Sequence, residues 1–130
     1  MKRWISAALP VVLYAAAIFL LSAQSSLPKT HVWDKAAHFC EYAVLGFLLA
    51  RAIHLVTGWN LLRCGVLAVL LATGYAFTDE VHQYFVPGRD SDPLDVVADC
   101  LGSITGSTAY AAWVGLRARL RGLPEASRSA

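Results

Sequence analysis

Residues 36–78 read AAHFCEYAVLGFLLARAIHLVTGWNLLRCGVLAVLLATGYAFT, two apolar runs (36–56 and 61–78) broken only by Thr57, Gly58, Trp59 and Asn60. Each run approaches the ~20 residues that an α-helix needs to cross a hydrocarbon layer of ~30 Å. Such a layer holds no water, so a backbone inside it must satisfy its own hydrogen bonds, and a single segment does so only as a helix. A four-residue break leaves room for a tight reversal and nothing else. The stretch is therefore a hairpin of two membrane helices.

Two further apolar runs flank the hairpin, at about 4–21 and 94–116, joined to it by links of about fourteen and fifteen residues. The whole reads as an all-α integral membrane four-helix bundle with short loops, one domain over 1–116. Residues 117–130 read as a basic, disordered cytoplasmic tail in which Arg117, Arg119 and Arg121 can meet anionic lipid. Composition agrees: the chain is 57% hydrophobic and 15% charged, with a positive mean hydropathy of +0.51, against ~25% charged residues in ordinary soluble domains. A net charge of +2 is too small to suggest nucleic acid as a partner. Met1-Lys2-Arg3 before the first run has the look of a secretion signal. The run, however, is longer than a usual signal core, and Leu21-Ser22-Ala23 is a poor cleavage site, so a retained helix is expected. Cys40, Cys64 and Cys100 are odd in number, lack CxxC spacing and lie in apolar stretches, where a thiol serves as a small hydrophobe.

Charge then orients the bundle. With the N-terminus in the cytoplasm, Lys2, Arg3, Arg51, Arg63, Arg117, Arg119, Arg121 and Arg128 share that side, and only Lys29, Lys35 and Arg89 lie on the other. The positive-inside rule selects this arrangement, a multi-pass protein of the plasma membrane with both termini cytoplasmic. The acids are distributed oppositely. Asp34, Glu41, Asp79, Glu80, Asp90, Asp92, Asp95 and Asp99 gather in or beside the two external links, and only Glu125 is internal. Acids set topology weakly, so this clustering calls for a functional or structural cause.

Three helical faces carry it. Asp34, His38 and Glu41 are spaced i, i+4, i+7 on the second helix, with Lys35 and Tyr42 overlapping. Asp34 also suits a plain N-cap, but Glu41 lies about two turns inside the span, where a carboxyl is costly and marks a site by default. Asp79, Glu80 and Gln83 stack at the end of the third helix, where carboxylates oppose the helix dipole and call for Arg89, Lys35 or a metal as compensation. Asp92-Pro93 reads as N-cap followed by proline at the first helical position, which explains Asp92 without function. Asp95 and Asp99 continue along one face to Gly102 and Gly106, a small-xxx-small contact strip that points them at a neighbouring helix. Packing alone does not explain Asp99 inside a span. Antiparallel helices of similar length bring these faces to one end, with His38, Glu80, Arg89 and Asp95 as one contiguous polar site and Glu41 and Asp99 a turn deeper as supporting groups. This inventory suits proton transfer, a cation or an Arg clamp on phosphate. A single histidine among oxygen donors favours a hard divalent ion over zinc. No P-loop, nucleophile elbow, HExxH or haem motif occurs. The residues themselves name neither a metal nor a cofactor.

The order and spacing of Ser22, Gln24-Ser25, Asp34-Lys35-x-x-His38, Asp79-Glu80-x-x-Gln83, Gly88-Arg89, Asp95 and Gly102-x-x-x-Gly106 resemble the VanZ-like family of small membrane proteins, over about residues 20–106. The family commonly has asparagine where this chain has Asp99, a position that keeps its carbonyl acceptor and gains a charge when ionised. The family's namesake is linked to low-level resistance to the glycopeptide teicoplanin, so the resemblance implies an envelope-related role and supplies no reaction.

Two readings follow from different classes. In the first, the external site binds or acts on a lipid-linked envelope precursor, phospholipid or glycopeptide. Lys35 and Arg89, with Gln83, Asp34 and Asp79, hold the ligand, His38 moves a proton with Glu80 or Glu41 orienting its ring, and Asp95 completes the catalytic set. In the second, the polar layer is a fully paired structural network in a membrane scaffold or partner-binding module. No inverted repeat and no helix broken in mid-membrane point to a transporter. Membrane lipid is a partner in either case, and the sequence leaves oligomeric state open.

Overall fold

A computed structural model describes residues 2–24, 31–89 and 91–122, with backbone alone for 31–33. Ser25, Lys29, Asp90 and everything from residue 123 on, including Glu125 and Arg128, lie outside the described residues. Four helices account for nearly all of it: α1 (Lys2–Ser22), α2 (His31–Thr57), α3 (Leu61–Tyr84) and α4 (Pro93–Gly122).

All four run past the expected ends, and for one reason. Loss of hydrophobicity marks where an apolar run stops, whereas a helix stops where its backbone loses partners. Thus α2 begins at His31 instead of residue 36, α3 continues through Asp79–Gln83 to Tyr84 instead of ending at 78, and α4 carries Arg117, Arg119 and Arg121 within the helix instead of in a loose tail. Asp34 is consequently inside the first turn of α2 and is not its N-cap. The true stops are chemical. Gly58 closes α2 with a positive φ of 69° and its N–H on His54 O at 3.0 Å, a left-handed cap that costs glycine little. Asn60 opens α3 by accepting from Arg63 N at 2.9 Å. Asp92 opens α4 ahead of Pro93, its Oδ1 accepting from Leu94 N at 2.9 Å, as its position before proline predicts.

The helices alternate in direction, so α2 and α4 run parallel. They also make the most extensive contact in the molecule, with α2 at the centre touching all three other helices and α1 peripheral, in contact with α2 and α3 but not α4. The seam between α2 and α4 is built of small residues. A Cβ on Gly102 would overlap Phe39 O and sit 3.0 Å from its carbonyl carbon, one on Gly106 would overlap Ala43 O, and one on Gly46 would overlap Ser103 O. Cβ-free backbones meeting one turn apart make a close, shape-matched contact that needs no hydrophobic driving force, which lipid cannot supply. On α3 the buried stripe is Cys64, Ala68, Ala72 and Ala76, again small. Larger side chains fill what remains: Ile18, Tyr42 and Leu45 in one half, Tyr110 against Ala50 and Ala68 in the other.

By length and composition α1, 34–57 within α2, and α3 suffice to cross a membrane. The glycine, serine and threonine of the packing face lower the hydropathy of α4. Helix α4 nevertheless follows α2 turn for turn, from Gly102 beside Phe39 to Tyr110 hydrogen-bonded to His54, so it traverses the depth that α2 does. The outside of the bundle is as apolar as its inside, with Leu13, Leu20, Leu62, Leu70, Phe77, Leu101 and Ile104 all exposed. A contiguous surface of this kind in a 130-residue chain is a lipid-facing surface. This is a membrane protein.

Candidate functional site at the acidic end

Alternating directions bring the end of α1, the start of α2, the end of α3 and the start of α4 to one end of the bundle. Along each helix the same helical periodicity that buries alanine or glycine in mid-bundle buries a polar group here. The α3 stripe Ala72, Ala76 continues into Asp79, Glu80 and Gln83, and the α4 strip Gly106, Gly102 continues into Asp99 and Asp95, all buried. His38, about two turns into α2, is 4% exposed. Burial of so many polar groups requires partners.

The partners are specific. Asp79 accepts from the Ser22 hydroxyl at 2.6 Å through Oδ1 and from Gln83 Nε2 at 3.0 Å through Oδ2, tying α1 to α3. Glu80 accepts through Oε2 from the Ser91 hydroxyl and from Asp92 N, both at 2.9 Å, tying α3 to the start of α4. Lys35 Nζ donates to Asp92 Oδ2 at 2.6 Å and Asp95 Oδ1 at 2.8 Å, tying α2 to α4. His38 Nδ1 lies 3.1 Å from Asp99 Oδ1, where an ionised carboxylate accepts its proton, and Nε2 is 4.0 Å from Asp95 Oδ2.

Two expectations change. The imidazole is oriented by Asp99, with Asp95 nearby, and by neither Glu80 nor Glu41. The parallel course of α2 and α4 sets Asp99 level with His38 instead of a turn below it. The acids at the end of α3 are stabilised by hydroxyl, amide and backbone donors: the helix continues past them, so they do not sit on its exposed carbonyl end.

Between these groups is a cleft of about 50 Å³ lined by Leu21, Ser22, Asp34, Ala37, His38, Glu41, Asp79, Gln83 and Arg89. It brings together most of the residues singled out from the sequence. Asp95 and Asp99 stand behind His38. Glu80 does not line the cleft. It faces the other way, into an apolar groove of about 480 Å³ between α3 and α4, lined by Phe77, Val81, Tyr84, Phe85, Ser91, Pro93 and Val96. It joins the network through Asp92. The sequence holds no sign that Ser91 meets Glu80, and places Ser22 only through the family motif, because a serine at a helix end or in a loop carries no periodic signal of what it will touch. Not every group is matched. Arg89 Nε, Glu80 Oε1 and Tyr42 OH are buried with no hydrogen-bond partner among the described residues.

A family model described as VanZ/LLP1 matches residues 4–114 of this chain. The chain belongs to the VanZ/LLP1 family. The match covers α1 from residue 4 on, all of α2 and α3, and α4 as far as residue 114, so the acidic-end network lies wholly inside it. No curated protein and no solved structure gives a match.

Proposed function

We propose that this VanZ-like protein works in the cell envelope from the plasma membrane, with both termini cytoplasmic and the acidic end outside, where it holds the phosphate-bearing headgroup of a lipid-linked precursor. The eight-to-three distribution of basic residues supports the orientation. Arg51, Arg63 and Arg117 stand at the opposite end from the cleft, Arg51 on Ser6 O at 3.1 Å and Arg117 over the Trp113 ring at 4.0 Å.

The observation that carries the ligand reading is Arg89. Arg89 borders the cleft, which Glu41 also lines, and its Nε is buried with no hydrogen-bond partner among the described residues. A buried donor left unmade costs about 1–3 kcal/mol, and a forked cation in that state is matched by a phosphate or carboxylate from outside. Lys35, by contrast, already holds two carboxylates, which leaves the clamp to Arg89. His38, held through Nδ1, has Nε2 available for proton transfer in a catalytic version of this reading.

The scaffold reading also has an observation in its favour. Lys35, Asp79, Asp95 and Asp99 are all paired, and a closed, satisfied layer fixes helix register without any ligand. Binding of a short-chain polyprenyl phosphate to the detergent-solubilised protein, followed by native mass spectrometry, separates the two. Retention by wild type, with at least tenfold loss in Arg89→Ala and partial recovery in Arg89→Lys, supports the headgroup site. Equal retention of the phosphate and the uncharged polyprenol by wild type leaves the scaffold. Teicoplanin susceptibility of cells with and without the protein tests the glycopeptide branch separately.

A further inference from the structure

The side chains of Asp34, His38 and Asp95 are placed as a metal site. Their ligand atoms lie within 4.8 Å of one another, and Asp34 and His38, four residues apart on α2, face Asp95 across the α2–α4 seam. His38 is buried, its Nδ1 is committed to Asp99, and among the described residues its Nε2 makes no hydrogen bond, with Asp95 Oδ2 at 4.0 Å. That gap is too long for a hydrogen bond and is spanned by an ion about 2.1 Å from each atom. A carboxylate on the far ring nitrogen is the arrangement that orients metal-ligating histidines and fixes their tautomer. Asp95 is likewise divided: Oδ1 takes the Lys35 ammonium, and Oδ2 points toward His38. Asp34 makes no hydrogen bond or ion pair among the described residues although it borders the cleft.

We infer that Asp34, His38 and Asp95 bind a divalent cation of the Mn2+ type, with Asp99 positioning the histidine. Local charge favours it. Asp92 and Asp95 share the Lys35 ammonium, Asp95 and Asp99 flank His38, and Asp34 lies within 4.8 Å of His38 and Asp95; like charges so close are relieved by a cation. One imidazole with two carboxylates suits an ion tolerant of both nitrogen and oxygen, and three protein ligands leave positions open toward the cleft. The ion takes the place of the proton that Nε2 would otherwise carry, so binding weakens as pH falls. The site does not depend on the headgroup reading.

The test uses the full chain in detergent, stripped with chelator, with MnCl2 alone and no lipid. Free Mn2+ is counted by the electron paramagnetic resonance signal of its aquo ion. One ion per chain is expected, with at least tenfold weaker binding in Asp34→Asn and in His38→Ala, and near wild-type binding in Glu80→Gln, which removes an acid of the same network outside the trio. Asp34→Asn disturbs no hydrogen bond among the described residues and keeps the test decisive if His38→Ala fails to fold. Absence of a site in wild type, unchanged binding in Asp34→Asn, or equal weakening in Glu80→Gln would overturn the assignment, the last result meaning diffuse attraction to an acidic surface.

Discussion

Gly106→Ala adds one methyl group at the tightest point of the α2–α4 seam. The new Cβ would overlap Ala43 O and lie 2.7 Å from its carbonyl carbon and 2.9 Å from Phe47 N, where ordinary contact begins at 3.4 Å. All three atoms are backbone of a helix, so no side chain can swing aside, and relief requires α4 to move off α2. Overpacking of this kind costs about 3 kcal/mol, the upper part of its usual range, because the obstacle is rigid. Helix propensity returns about 1 kcal/mol on replacing glycine by alanine. The net loss is about 2 kcal/mol, or roughly thirtyfold in the folding equilibrium at ~1.4 kcal/mol per factor of ten. Gly115→Ala is the control, since a Cβ there meets nothing within 4 Å, and it is expected to be neutral or slightly stabilising. Thermal unfolding in one detergent, read by loss of monodisperse protein, compares the two. If Gly106→Ala melts with Gly115→Ala and wild type, the seam does not hold the bundle together and the helix register inferred from it is wrong.

Other consequences are as direct. Asp79→Asn should lower stability by less than about 1 kcal/mol, because its oxygen still accepts from Ser22 and the Gln83 amide can turn to meet the new N–H; Asp79→Leu, which strands both donors, should cost about 2–3 kcal/mol in the same melt. Tyr110→Phe removes the 2.8 Å hydrogen bond to His54 Nδ1 without changing shape and should cost about 1 kcal/mol. Reporter fusions should give a periplasm-type signal when placed after Arg89 and a cytoplasmic one at Ala130; the reverse pattern would overturn the proposed orientation.

The sequence by itself determined the fold class. Four apolar runs and short breaks force helices, because lipid offers the backbone no alternative partner, and the Gly102–Gly106 spacing announced a close helix contact. The same periodicity gathered Asp34, His38, Asp79, Glu80, Asp95 and Asp99 at one end. It did not reveal where the helices stop, since hydropathy measures transfer of side chains, whereas a helix persists as long as its backbone is bonded and its polar side chains are satisfied. Nor did it reveal who pairs with whom. That α2 and α4 run parallel in register, and so set Asp99 rather than Glu80 or Glu41 on His38, depends on which helices are neighbours and at what height. Those are relations between segments some sixty residues apart. Only the packed seam of Gly46, Gly102 and Gly106 decides them: backbone-to-backbone contact tolerates almost no sliding, and the heights of the polar groups are locked by it.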